Sequence, residues 1–159
     1  MIFCNINEFL KNIKRSNSIL MCLDIGLKHT GIAFSDPNRI YSVASKVINN
    51  YNKKLVNQLT EIVKSYNLCG IIVGVPLNDD NSINKKTQSI KDTVKHIDLI
   101  FLKNNIELPI LFWDESYSSE NALENIKFIN KFKSNNKRIV DKFAAQSILQ
   151  DFLDYKNKL

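Results

Sequence analysis

The sequence from Leu20 to Ser35 reads LMCLDIGLKHTGIAFS. It joins an apolar strand to a carboxylate, Asp24, and then to Gly26 and Gly31, two of the four glycines in the chain. An ionised carboxylate in an apolar strand costs several kcal/mol unless a cation or strong hydrogen bonds compensate it. Asp24 therefore either hydrogen-bonds its own backbone at the turn or faces a cation, and the glycine beside it lets a ligand approach closely.

The apolar runs of the chain predict a mixture of strands and helices. Apolar stretches of strand length lie at residues 19–25, 30–35, 40–48, 69–75 and 108–113. Helical spacing of apolar residues marks segments around 3–15, 52–66, 90–101, 119–131 and 138–156. The first two strands form a hairpin with Lys28 and His29 near its turn, and the third extends an antiparallel meander. The last two strands each follow a helix, which predicts an α/β domain.

Two carboxylates come at the ends of strands that we expect to be parallel. Right-handed crossovers make the first, fourth and fifth strands parallel, so their carboxyl ends open onto one edge of the sheet, where ligands bind in open α/β domains. Asp24 ends the first strand, and Glu115 follows the fifth. Strand alternation turns the neighbouring Asp114 toward the other face.

A third carboxylate, Asp141, lies at the start of the last predicted helix. Ala145 and Ile148 follow it at i+4 and i+7, so Asp141 falls on the face that turns toward the sheet. An Asp in the first turn of a helix also has a simpler explanation, a favourable interaction of roughly 0.3–1 kcal/mol with the helix dipole.

Three carboxylates at one sheet edge repel one another unless a divalent cation neutralises them. A ligand set made only of oxygen atoms favours Mg²⁺ or Mn²⁺ over zinc, and a pair of such ions is a known device for cleaving phosphodiester bonds. Several basic residues surround these carboxylates in the sequence, although a solvated helix surface explains most of them. We expect phosphate contacts from Lys28, His29, Lys137 and Arg138.

Composition excludes several classes of protein. A chain of 159 residues is most simply one domain with a real core. The three cysteines, Cys4, Cys22 and Cys69, form neither a disulfide framework nor a zinc-binding spacing, so we expect buried free thiols and a cytoplasmic protein. The charged N-terminus is unlike a secretory signal, and no apolar run is long enough to span a bilayer. The net charge of +6 favours an anionic partner, with nucleic acid the first candidate.

Four motifs occur in order between about Leu20 and Asp154. The first is D-x-G-x-K-x-x-G, from Asp24 to Gly31, followed by Ser35-Asp36-Pro37. The other three are V-G-x-P-L-N-x-D at residues 73–80, D-E-x-x-S-S at 114–119 and V-D-x-x-A-A-x-x-I-L-Q at 140–150. Together these motifs resemble the YqgF-type family, a ribonuclease H-like group described as Holliday junction resolvases and as pre-16S rRNA processing nucleases.

The resemblance implies a fold and a set of residue roles. The implied fold is a ribonuclease H-like five-stranded mixed sheet, in the order 3-2-1-4-5, flanked by helices and carrying an extra N-terminal helix. Residues 1–17 would be an amphipathic helical extension, and residues 18–159 would be the nuclease domain. The catalytic, metal-binding carboxylates would be Asp24, Glu115 and Asp141, holding two Mg²⁺ or Mn²⁺ ions. The residues that would shape the surrounding loops are Gly26, Gly31, Gly74, Pro76 and Asn78.

Two arginines that the family pattern usually contains are replaced in this chain, by His29 and by Ser116. Because a guanidinium binds phosphate through a rigid two-pronged fork, both replacements remove a bidentate contact. His29 can still donate one hydrogen bond to a phosphate, whereas Ser116 supplies no charge. Asn81 stands where the family has a glycine, and Asn tolerates left-handed backbone better than most residues.

The function that we expect is a divalent-metal-dependent endonuclease acting on structured nucleic acid, specifically on the 5′ end of pre-16S rRNA in ribosome biogenesis. Structured RNA, including ribosomal precursors, is the preferred partner, and branched DNA is the alternative, as for a Holliday junction resolvase. The replaced arginines leave open a non-catalytic RNA-binding ribosome-assembly factor, which would bind RNA without Mg²⁺. An ATP-using phosphotransferase of the actin type has a similar D-x-G loop but needs two such domains. No membrane contact is expected, and the oligomeric state is open.

Overall fold

A computed structural model of the chain describes residues 1–13, 17–50, 54–76, 84–114 and 137–159. For residues 54 and 137–142 it describes the backbone. The strands are β1 (Ile2–Phe3), β2 (Ile19–Ile25), β3 (His29–Ser35), β4 (Ser42–Asn49), β5 (Leu68–Val75) and β6 (Ile110–Asp114). The helices are α1 (Ile6–Asn12), α2 (Lys54–Ser65), α3 (Lys85–Lys103) and α4 (Lys137–Asn157).

One mixed sheet joins all six strands in the order β1-β6-β5-β2-β3-β4. The strands β2, β3 and β4 form the predicted antiparallel meander. The strands β2, β5, β6 and β1 are parallel to one another. The five predicted strands therefore occur in the predicted order, and the carboxyl ends of β2, β5 and β6 lie at one edge of the sheet.

The N-terminal residues depart from the prediction of a single helix over 3–15. Ile2 and Phe3 form a short parallel strand beside β6, which gives the sheet a sixth strand where five were predicted. A two-residue strand carries no periodicity of its own, so the sequence pattern did not reveal it. The Asn5 side chain accepts hydrogen bonds from the backbone N–H groups of Asn7 and Glu8, and α1 begins only after this cap. The predicted helix at 119–131 lies outside the described residues.

Two layers of helices enclose the sheet. The helices α2 and α3 bury Leu59 and Val94 against one face, which we call the α2/α3 face. The helices α1 and α4 cover the opposite face, called here the α4 face, and bury Phe9, Leu149 and Phe152 there. Because both faces are covered, the central strands are apolar on both sides, as the run from Leu20 predicted.

Helix α1 packs directly on the backbone of the sheet. Gly70 in β5 lies under this helix, and a Cβ built on Gly70 would come within 2.8 Å of the Phe9 ring and 3.1 Å of Ile13. Phe9 is fully buried and meets the Phe152 ring edge-on, with the ring centroids 6.0 Å apart. Phe9 and Ile13 of the N-terminal segment are therefore part of the packed core.

This close approach predicts the effect of a single methyl group. We expect Gly70→Ala to lower the free energy of unfolding by about 1–3 kcal/mol, because the methyl overpacks the contact with Phe9. Urea denaturation measures the change. In a Phe9→Leu background, where the tip of the ring is absent, the same substitution costs less; an equal cost in both backgrounds contradicts the contact.

The cysteines are all free thiols. Cys22 and Cys69 are buried, as predicted, but Cys4 is exposed, because it follows β1 at the surface. Among the described residues, no helix is both long enough and apolar enough to cross a membrane.

Candidate functional site

Asp24 occupies the next-to-last position of β2, at the edge where the parallel strands end. Leu20 and Cys22 of the same strand are buried on the α4 face, together with Ala145 and Leu149 of α4. Since alternate residues of a strand share a face, the half-buried Asp24 lies on the α4 face as well. The last-but-one position of an apolar strand thus places one carboxylate on the face of the sheet that α4 covers.

Glycines stand beside Asp24 on both neighbouring strands. Gly31 of β3 is its pairing partner. On the other side, Leu23 pairs with Val73 of β5, which brings Gly74 level with Asp24. Gly31 and Gly74 lie inside β3 and β5, in agreement with the predicted strands at 30–35 and 69–75, and their part in shaping the loops stays a prediction. Glycine contributes no side chain at these two positions, so a ligand or a second backbone can approach Asp24 from them.

The hairpin after Asp24 is tightly closed. The Gly26 N–H group donates to the His29 carbonyl oxygen at 2.9 Å. A Cβ on Gly26 would lie 2.8 Å from that oxygen, so the close approach of the backbone favours glycine at this position. Lys28 is exposed at the tip, whereas His29 is half-buried as the first residue of β3.

Sequence reasoning missed Asn50, which braces this hairpin. Its Nδ2 group donates to the Gly26 carbonyl at 2.7 Å, and its Oδ1 atom accepts from the Thr30 hydroxyl at 2.8 Å. The Asn50 backbone N–H also donates to the Lys28 carbonyl at 2.9 Å. Nothing in the local sequence distinguishes Asn50 from its neighbour Asn49, because its partners in the hairpin lie 20 to 24 residues earlier in the chain.

We expect Asn50→Ala to lower the free energy of unfolding by about 1–3 kcal/mol, because it removes two hydrogen bonds and leaves the Gly26 carbonyl without its donor. Nucleic acid cleavage should slow as well, since the hairpin that carries Lys28 loosens. Urea denaturation and initial cleavage rates measure the two effects. Asn57→Ala, at an exposed position of α2, is the matched control and should alter neither quantity. Equal behaviour of the two variants contradicts the bracing role.

The end of β6 brings Asp114 to the same edge of the sheet. Asp114 pairs with Val75 of β5 and is half-buried. Leu111 and Trp113 belong to the α4 face, so Asp114 is on the opposite face from Asp24, in agreement with the predicted alternation. Glu115 follows directly in the chain but lies outside the described residues.

The third predicted carboxylate belongs to α4. The helix begins at Lys137, so the backbone of Asp141 lies just beyond the first turn and not within it, as the helix predicted from residue 138 had placed it; Asp141 stands four residues before the fully buried Ala145. Lys137 and Arg138 form the start of the same helix. For these three residues the description ends at the backbone, so their predicted roles as metal ligand and phosphate contacts stay predictions.

Two glutamines fix α4 across the sheet. The Gln146 side chain donates to the Ser42 carbonyl at 2.9 Å, and the Gln150 side chain accepts from the Ser42 N–H group at 2.9 Å. Gln150 also donates to the Ile40 carbonyl at 3.0 Å. These bonds tie α4 to the start of β4, and they thereby set the direction in which its first turns approach the edge that carries Asp24.

Pro76 ends β5 and anchors both ends of the following loop. Its carbonyl oxygen accepts from the Asn84 side chain at 3.2 Å and from the Thr87 hydroxyl. Asn84 in turn caps α3, since its Oδ1 atom accepts from the Thr87 N–H group at 2.8 Å. Pro76 is thus tied to the start of α3, but the loop at residues 77–83, with Asn78, lies outside the described residues, so the loop-shaping roles of Pro76 and Asn78 stay predictions. The sequence motif did not reveal Thr87.

The motif Ser35-Asp36-Pro37 lies away from this edge, at the opposite end of β3. The Asp36 carboxylate accepts hydrogen bonds from the N–H groups of Asn38, Ile40 and Tyr41 at 3.0, 2.7 and 2.7 Å. Partial burial works against ionisation, but these backbone hydrogen bonds outweigh it and lower the pKa of Asp36. Its contribution to stability is therefore present above its unfolded-state pKa and is lost as the pH falls through the lowered value. Asp36 organises a turn rather than the candidate site.

The donors at this edge suit a hard divalent cation. Asp24 offers carboxylate oxygens in a part of the site flanked by glycines, and oxygen is the donor that Mg²⁺ and Mn²⁺ prefer. Within the described part of the chain, no group of three or more His, Cys, Asp or Glu residues lies close enough to hold a metal ion. Glu115 and the side chain of Asp141, the two predicted partners of Asp24, lie outside that part.

Residues 18–155 match the model of a protein family described as RuvX, Holliday junction resolvase. The chain belongs to the RuvX family. A relative from Pelagibacter ubique, named "Putative pre-16S rRNA nuclease", is 33% identical over 147 residues, which cover 91% of this chain and 94% of the relative. A relative of the same name from Wolbachia pipientis wMel is 32% identical over 160 residues, which cover 100% of this chain and 99% of the relative.

The fold agrees with this assignment. The structure of T. thermophilus RuvC in complex with a Holliday junction substrate superposes with a TM-score of 0.61 over 89% of this chain and 96% of that one, at 8% sequence identity. At such low identity the likeness shows a common fold only. Family membership and fold together confirm the resemblance carried by the four motifs, the ribonuclease H-like architecture and the enzyme class: the chain is a nuclease, a hydrolase of phosphodiester bonds.

Proposed function

We propose that this chain is a Mg²⁺- or Mn²⁺-dependent endonuclease that processes the 5′ end of pre-16S rRNA in the cytoplasm. The main support for a metal site is the position of Asp24. It is a half-buried carboxylate at the end of β2, beside Gly31 and Gly74, and it lies on the face of the sheet that the helix of Asp141 covers. Relatives that cover nearly the whole chain and are named for pre-16S rRNA support the choice of RNA.

In this proposal Asp24, Glu115 and Asp141 hold the metal ions. Two ions held by carboxylates supply an activated water molecule and stabilise the leaving oxygen. The two glycines let the sugar-phosphate backbone come close to Asp24, which a side chain at either position would prevent. Lys28, exposed on the braced hairpin, contacts a neighbouring phosphate, and His29, Lys137 and Arg138 are further candidates for such contacts.

The proposal divides the chain into a nuclease domain at residues 18–159 and an extension at residues 1–17. The family match begins at residue 18, which supports this boundary. Since Phe9 of the extension is buried against the domain, we infer that the two parts fold as one unit.

A four-way DNA junction is the second candidate substrate, because the family description names Holliday junction resolvases. Carboxylates and metal ions act on the phosphodiester itself, so this chemistry suits either polymer. The deciding experiment compares cleavage of a precursor 16S rRNA fragment, a four-way junction and generic single strands, each with Mg²⁺, Mn²⁺ or chelator. The proposal predicts metal-dependent cleavage of the rRNA precursor near the mature 5′ end. Cleavage of the junction alone, or RNA binding without cleavage, contradicts it.

A further inference from the structure

A cavity of about 540 Å³ opens on the α2/α3 face of the sheet, between the hairpin after Asp24 and the start of α3. This volume is within the range of roughly 300–1,000 Å³ that is usual for small-molecule sites. Residues of the hairpin, of α2 and of the first turns of α3 line it, among them Leu27, Leu55 and Ser89.

The lining combines an apolar floor with a basic rim. Ile25, Leu55 and Ile90 are buried beneath the cavity, with 5%, 6% and 4% of their surfaces exposed. Lys85 and Lys86 lie at its rim, in the first turn of α3, and both are exposed. Among the described residues that line this cavity none is acidic, so an anionic group with an apolar body fits it better than a cation does.

The cavity adjoins the candidate site through the chain itself. Ile25 and Gly26, which directly follow Asp24, form one wall. At the mouth, Leu27 is 92% exposed, which is unusual for a leucine beside a buried floor. The cavity opens on the face opposite Asp24, so a nucleic acid strand whose phosphate lies at Asp24 reaches it by crossing the edge of the sheet over this hairpin.

We propose that the cavity takes one unstacked nucleobase of the substrate strand, next to the phosphate that is cleaved. This inference rests on the proposed nuclease function and adds a binding subsite to it. The apolar floor contacts the face of the base, Leu27 fills the gap that the base leaves in the stack, and Lys85 and Lys86 bind the phosphate of that nucleotide. Contact with the face of a base tolerates all four bases, so the subsite selects unpaired or easily opened positions and not a sequence.

Fluorescence of 2-aminopurine tests the pocket, because this base brightens when it leaves the stack. The probe is placed at each position within three nucleotides of the cleavage site, in the rRNA fragment and in the junction, and binding is measured in chelator so that the strand stays intact. We expect one position to brighten on binding. Ser89→Phe, which fills the mouth of the cavity from an exposed position, should abolish the signal and weaken binding by about tenfold, the order expected for losing contact with one base.

Gln88→Phe is the matched control, since Gln88 is exposed on the same helix but does not line the cavity. It should keep both the fluorescence and the affinity. Lysine variants test the rim: Lys85→Ala and Lys86→Ala should each reduce the slope of log affinity against log salt by about 0.7–0.9, whereas Lys95→Ala, further along α3, should not.

The proposal of a base-binding pocket is contradicted if no 2-aminopurine position brightens on binding, or if Ser89→Phe and Gln88→Phe behave alike. These outcomes are distinct from failure of the proposed function. Wild-type cleavage with an unchanged 2-aminopurine signal keeps the nuclease and removes the pocket. If no substrate is cleaved, the probe is placed at every position of the bound strand. The change in its fluorescence on binding then shows whether the pocket takes a base.

Discussion

Replacing Asp24 by Asn lowers the rate of phosphodiester cleavage by about 10³-fold or more, equivalent to about 4 kcal/mol of transition-state stabilisation. The amide is neutral and offers one oxygen where the carboxylate offers two negatively charged ones, so it binds divalent ions poorly. The fold should survive, because Asn has nearly the same size and Asp24 is only half-buried at a strand end. Circular dichroism and the melting temperature are therefore expected to stay close to wild type.

Asp114→Asn is the matched control for this prediction. It makes the same chemical change at the same edge of the sheet, but on the opposite face from Asp24. Cleavage by this variant should remain within a few-fold of wild type. If both variants lose activity equally, the effect is one of net charge and not of a site on the α4 face; if Asp24→Asn cleaves normally, Asp24 is not a catalytic residue.

The second large effect concerns the two carboxylates whose side chains lie outside the described part of the chain. We expect Glu115→Gln and Asp141→Asn each to reduce cleavage about as strongly as Asp24→Asn. The triple variant should be scarcely worse than any single one, because ligands of one metal site act as a unit and their losses do not add. Single-turnover rates, measured with each folded variant in excess over substrate, give the comparison.

The effect of Asp141→Asn also distinguishes a catalytic role of Asp141 from a simple interaction with the helix dipole. If Asp141 only interacts with the dipole of α4, Asp141→Asn costs roughly 0.3–1 kcal/mol of stability and leaves the cleavage rate intact. Losses that multiply across the three positions would likewise contradict a single shared site.

The sheet was predictable because its central strands, β2 and β5, contain apolar runs of at least five residues and are bounded by turn signals or helices. The order of these strands followed from the hairpin at Gly26 and from the handedness of the crossovers. Strand β1 was not predictable: Ile2 and Phe3 are too few for a period, and only the exposed edge of β6 gives them a partner. Local pattern therefore determines which segments are strands, but tertiary pairing determines where the sheet ends.

The candidate site, too, was predictable from the sequence only in part. Position in the sequence was enough to place Asp24 at a strand end and Asp114 on the opposite face. The residues around Asp24 could not be predicted from the sequence, because they depend on the register between neighbouring strands. Gly31 and Gly74 lie beside Asp24 only because β2 pairs with β3 and β5 in this register. Asn50 was missed for a related reason, since its hydrogen bonds join segments that are distant in the chain.

Electron paramagnetic resonance measures the binding of Mn²⁺ to the intact chain in the absence of nucleic acid. This measurement tests most directly whether Asp24 belongs to a metal site. It reports on the site independently of any substrate. The account predicts that wild type and Asp114→Asn bind Mn²⁺ with the same affinity and that Asp24→Asn binds it at least about tenfold more weakly, because a charged ligand is lost. Equal affinities for all three proteins would contradict the assignment of Asp24 as a metal ligand.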